Sequence, residues 1–144
     1  MTAPADQRLR QQARSVLARH ADGAAGADAI AAAADRSCGD LVRVLTPVIG
    51  SVGVSALTDR TLHLAARDYP WLVPAAAQPY QDDTFSRIIP FLTQQDPAVA
   101  ADSAAGILAT FLGLLSMFIG EPLAARLSQQ AWPDALFSAQ TEDT

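Results

Sequence analysis

Apolar residues recur along this chain at helical spacing, and short polar or proline-rich breaks separate the runs. Residues 6 to 20, DQRLRQQARSVLARH, place Leu9, Ala13, Val16 and Leu17 on one stripe, with Arg8, Arg10, Arg14 and Arg19 around the rest. That pattern predicts a basic, weakly amphipathic helix. Gly23 and Gly26 interrupt it, after which Asp28 is placed to cap an alanine-rich helix reaching about Arg36. Ser37-Cys38-Gly39-Asp40 reads as a second break, with Asp40 as cap for LVRVLTPVIG and Pro47 expected to kink that helix or to mark a short preceding turn. Gly50 and Gly53 suggest a corner. VSALTDRTLHLAARD then forms an amphipathic helix with Val54, Leu57, Thr61, Leu64 and Ala65 on its buried side, ending before Pro70.

The stretch from Tyr69 to Asp83 carries Pro70, Pro74 and Pro79, which are expected to break any regular element. Its Tyr69, Trp71 and Tyr80 read as anchors that pin a connector to the core. Asp82 or Asp83 would cap TFSRIIPFLTQQ, bent at Pro90. Asp96-Pro97 opens the next helix, a capping residue followed by proline at the first helical position.

That helix contains SAAGILATFLGLLSMFIG, Ser103 to Gly120, eighteen residues without a charge. Such a length is at the lower limit for crossing a hydrocarbon core of roughly 30 Å. The flanks read differently: Asp96 and Asp102 precede it, Glu121 follows, the next basic residue is Arg126, and no Tyr or Trp marks an interface. A membrane span is therefore not expected. The predicted reading is a helix apolar on all sides because other helices surround it. Gly106, Gly113 and Gly120 recur every seven residues along it, a seam of minimal side chain where another helix can approach. Pro122 then restarts a short helix, PLAARLSQQAW, which Pro133 closes.

The chain also echoes itself. Leu45 to Gly50 and Leu115 to Gly120 both read L-x-x-x-I-G, and each is followed by a helix ending at an aromatic near proline: Tyr69-Pro70-Trp71 in one case, Trp132-Pro133 in the other. This suggests two similar helix-corner-helix units packed against each other.

Composition sharpens the picture in three ways. Thirty alanines in 144 residues favour an all-α fold, since alanine is the strongest intrinsic helix former. One compact helical domain over residues 1–144, about six helices around the apolar one, is expected, with the basic helix at 1–22 and a frayed tail at 136–144. All ten basic residues are arginine, so a mechanism resting on a lysine amine is excluded. Up to residue 20 the charge is +3, and beyond it six arginines face fourteen acids, so the first helix should be drawn to its own domain. The acidic body argues against nucleic-acid binding. Met1 to His20 lacks the apolar segment of a secretory signal, and a cytoplasmic protein is expected.

Candidate chemistry is sparse. Asp59, His63 and Arg67 stand four residues apart on the outer face of their helix and read as a solvated charge ladder. An exposed histidine in the middle of a helix of an all-α bundle resembles, in architecture, the histidine phosphotransfer domains. Their motif places Lys and Gly third and fourth after the His, where this chain has Ala66 and Arg67. Asp59 and His63 would supply two metal ligands without a third. Cys38, the single cysteine, reads as a small buried residue. His20 would cap the end of the first helix. No cofactor or metal is implied. The functional expectation is a non-enzymatic module acting through protein contacts or self-association, with a hydrophobic ligand or His63-dependent phosphotransfer as alternatives. Its contact residues would be the seam glycines 106, 113 and 120 and the anchors Tyr69, Trp71 and Trp132.

Overall fold

A computed structural model describes residues 4–21, 26–76 and 88–133, and among these the fold is all-α, without strands. Helix α1 spans Pro4–Ala21, α2 Ala27–Asp68, α3 Val73–Ala76, α4 Ile89–Leu92, α5 Pro97–Ile119 and α6 Glu121–Ala131, with a 3-10 turn over Pro70–Leu72. The expectations at Gly23, Tyr80, Asp82, Asp83 and the tail from 136 fall outside the described residues.

α5 follows its sequence signals closely. Asp96 holds the N-cap position, without a capping hydrogen bond from its side chain, and Pro97 stands in the first turn, while Gly120 ends the helix at φ +93° and ψ 148°. Its Phe111, Ile107, Leu108 and Leu115 are buried at 1% exposure or less, because α1, α2 and α6 all pack on it. Glu121 and Pro122 then start α6, which closes at Trp132.

α2 departs from expectation in an instructive way. No break occurs at 37–40: Ser37, Cys38, Leu41 and Leu45 lie on one buried stripe and the helix runs through them. A helical Gly39 costs on the order of 1 kcal/mol against alanine, and burying that stripe outweighs it. The N-cap is Gly26 rather than Asp28, which lies in the first turn, and Asp40 pairs with Arg43 at 2.9 Å instead of capping. Pro47 stays inside the helix. The interruption comes at Gly50, whose φ of 79° and ψ of 160° are non-helical, while Gly53 has resumed helix. Beyond the corner Val54, Thr58, Thr61, Leu62 and Ala65 are buried, so Leu62 joins the stripe, with Leu57 and Leu64 only partly covered. Pro70 and Pro74 do not abolish structure: Pro70 sits in the 3-10 turn, and α3, with Pro74, follows it directly, while Pro79 lies outside the described residues. Pro90 stands in the first turn of α4, and the expected helix before it, from residue 84, lies largely outside the described residues.

The echo in the sequence is a structural repeat with an offset of seventy residues. Gly50 and Gly120 are the two positive-φ glycines among the described residues, and both connect helix to helix with nearly equal angles. Ile30, Ala34, Ser37, Cys38, Leu41 and Leu45 are buried before the first corner, as Ala100, Ala104, Ile107, Leu108, Phe111 and Leu115 are before the second. After it, Val54, Thr58 and Leu62 match Ala124, Ser128 and Trp132, again all buried. Even the hydroxyls correspond: Thr46 donates to Val42 and Ser116 to Leu112, Thr58 to Val54 and Ser128 to Ala124, each to the carbonyl four residues back. A hydroxyl satisfied inside its own helix adds a small side chain without needing a partner across the interface. In the buried interior the Trp132 Nε1–H crosses between the units and donates to the Ser37 carbonyl at 3.1 Å.

Among the described residues two helices, Ala27–Asp68 and Pro97–Ile119, are long and apolar enough to cross a bilayer; 28% and 56% of their most apolar windows are buried within the fold, so α5 is the more covered of the two.

Candidate functional site

The densest polar cluster joins three elements at Asp102. This residue lies in the first part of α5, half-exposed, and its Oδ2 accepts a hydrogen bond from the Tyr69 hydroxyl at 2.9 Å. Its Oδ1 accepts from Arg14 at 3.0 Å and from Arg10 at 3.5 Å, both on α1. Arg10 also hydrogen-bonds Tyr69, and that bond is the main reason its guanidinium holds its proton more tightly than usual. The Tyr69 hydroxyl is pushed above the ordinary phenol value, first by desolvation and further by Asp102, against the pull of Arg10. The phenol is thus held neutral as a donor.

Gly106 makes room for this arrangement. A Cβ there would sit 2.8 Å from the Tyr69 hydroxyl, 3.2 Å from the ring and 3.4 Å from Arg10. At Gly113 it would meet only Leu9 Cδ1, at an ordinary 3.6 Å. The seam is therefore a close-approach face, occupied by Tyr69 at one level and by α1 at the next; Gly120 serves instead as the corner. The two positions respond oppositely to alanine. Gly113→Ala is expected to raise unfolding stability by about 0.5–1 kcal/mol through helix propensity. Gly106→Ala is expected to lower it by about 1 kcal/mol or more, because displacing Tyr69 strands the Asp102 contact. Urea unfolding of the two variants measures the difference in sign.

Tyr69 and Trp71 are half-buried, packed on the core with ring centroids 6.3 Å apart, and Trp132 is buried at 2% exposure. These anchors therefore face inward. His63 lies on the exposed face of α2, its Nδ1 2.8 Å from the Asp59 carbonyl and 3.8 Å from the Asp59 carboxylate. Arg67, one turn on, is exposed. The ladder is solvated and its imidazole is tied back to its own helix. Cys38 is buried, and burial, with Asp35 adding to it, pushes the thiol up to about 12. It is not a nucleophile at neutral pH. Among the described residues no group of three His, Cys, Asp or Glu side chains gathers at metal-binding distance. The side chain of His20 lies outside the description.

The basic helix spends its charge internally. Arg8 pairs with Glu121 at 3.2 Å, and Arg10 and Arg14 share Asp102, so the three arginines described on α1 all face acids of α5 and α6. The attraction between arm and body read from the charge balance is realised in these pairs.

What the surface does offer is apolar. Met117 is 84% exposed and Phe118 62%, beside the Gly120 corner, with Leu123 at 37% just past it. At the equivalent Gly50 corner Val48 is 49% and Val52 76% exposed. The repeat thus places apolar side chains outward at both corners, Pro47-Val48 corresponding to Met117-Phe118. Single exposed apolar residues need no explanation, but contiguous exposed apolar patches mark contact surfaces. Comparison with protein-family models, with curated proteins and with solved structures gives no match.

Proposed function

We propose that the protein is a non-enzymatic helical module that works through protein contacts, as a homo-oligomer or as the small subunit of an assembly. The reading takes the chain as one domain of about six helices built round α5, in water. The observation that supports it is the pair of apolar corners, above all Met117 and Phe118 exposed side by side at the end of a helix whose middle, from Ser103 to Ala109, is buried. Chemistry draws little support from the other residues: His63 is held by its own helix, Cys38 is buried with a raised thiol, and Asp102 is engaged by Arg10, Arg14 and Tyr69.

The double substitution Met117→Ser with Phe118→Ser tests this. Both side chains are exposed, so the fold should survive and its circular dichroism should not change. Sedimentation velocity over a concentration series should show the native chain associating and the variant dissociating at about tenfold or more higher concentration, since burying two large apolar side chains contributes about 1.5–3 kcal/mol each. Identical sedimentation of the two proteins would refute the role of this corner.

A further inference from the structure

Two sulfurs fall among the described residues, and the fold treats them in opposite ways. Cys38 is buried in the α2 stripe, its thiol held protonated there. Met117 is the most exposed of the large apolar side chains described. The last turn of α5 keeps it outside. The Ser116 hydroxyl donates to the Leu112 carbonyl at 3.0 Å and the Gly120 N–H to the Ser116 carbonyl at 2.8 Å, so the turn is closed by its own hydrogen bonds. The buried stripe of α5 ends at Leu115, which leaves Met117 and Phe118 facing solvent. The other corner has no matching group, because the repeat puts Pro47 where Met117 stands. A thioether reacts with peroxides without first losing a proton, so access governs it, whereas a buried protonated thiol is inert.

We infer that Met117 is a modification site, the thioether that hydroperoxides convert to the sulfoxide, and that this conversion releases the contact made at the Gly120 corner. The sulfur lone pair attacks one peroxide oxygen: the O–O bond breaks, an S–O bond forms, sulfur loses two electrons, and the peroxide leaves as water or an alcohol. The product is a polar, chiral side chain in place of a flexible apolar one, set beside Phe118 in the patch that association would bury. The release rests on the protein-contact reading in its self-associating form; the oxidation does not.

Peptide mass mapping and sedimentation velocity of the full chain, before and after dilute hydrogen peroxide, test both halves. Met117 should take up one oxygen while Cys38 stays a thiol, and the midpoint concentration of association should rise about tenfold, because the contact would then bury an unpartnered sulfoxide. Methionine sulfoxide reductase should restore the original sedimentation. Association covers the thioether, so the oxidation rate at Met117 should fall about fivefold or more as protein concentration is raised through that midpoint. Met117→Leu should make association indifferent to peroxide, which separates Met117 from Met1. The inference is overturned if Met117 is the slower of the two sulfurs, if its complete oxidation leaves sedimentation unchanged, or if Met117→Leu responds to peroxide as the native chain does. In each of these cases the association of the untreated chain, and with it the function reading, stands. A native chain that never associates removes the function reading and the release together.

Discussion

Trp132→Ala is expected to lower unfolding stability by about 3–5 kcal/mol, the usual cost of removing a buried large aromatic. The ring is 2% exposed, and its indole N–H is bonded to Ser37 in the opposite unit of the repeat. Truncation would therefore open a cavity and remove a polar contact that joins the two units. A domain of this size has only about 5–15 kcal/mol in total, so the variant should be near the threshold of folding. Trp132→Phe keeps most of the volume and loses the donor, and should cost about 1–2 kcal/mol. Urea unfolding followed by far-ultraviolet circular dichroism measures both without relying on the removed fluorophore. A Trp132→Ala loss below about 1 kcal/mol would mean that the units are not joined there.

The second large effect concerns the corners. Gly50→Ala and Gly120→Ala should each cost about 1–3 kcal/mol, because their backbones occupy a region that residues with a side chain rarely adopt. At Gly50 a Cβ would meet nothing within 4 Å, so the penalty there is conformational rather than steric, and serine should cost as much as alanine. Gly39 is the control. It is helical, with nothing within 4 Å of an added Cβ, so Gly39→Ala should stabilise by about 0.5–1 kcal/mol. Three glycines with open space or near it are thus assigned different signs by φ alone. Equal responses at 39, 50 and 120 would contradict the corner geometry.

Local signals were legible in the sequence wherever backbone chemistry decides. Asp96-Pro97 begins α5, Gly120-Glu121-Pro122 turns the chain, and the uncharged run from Ser103 becomes a helix largely covered by its neighbours. The L-x-x-x-I-G echo coincides with the two corners. Local weakness misled where packing decides instead: Ser37 to Asp40 carries every mark of a break, yet the stripe formed by Ser37, Cys38, Leu41 and Leu45 holds the helix together across it. Pro47 is tolerated three residues before a corner, at an exposed position. The Asp102 cluster had no local signature at all, since its members come from three elements, with Tyr69 thirty-three and Arg10 ninety-two residues away. Only the charge asymmetry between α1 and the body pointed toward it, without naming the acid.

The homo-oligomer form of this reading, a chain that associates with itself through its apolar corners in water, meets its most direct test in the light-scattering mass of the purified chain in detergent-free buffer. It predicts a soluble species of at least twice 15.1 kDa at micromolar concentration. A chain that stays at its single mass throughout the concentration range, or that disperses only with detergent, would contradict it.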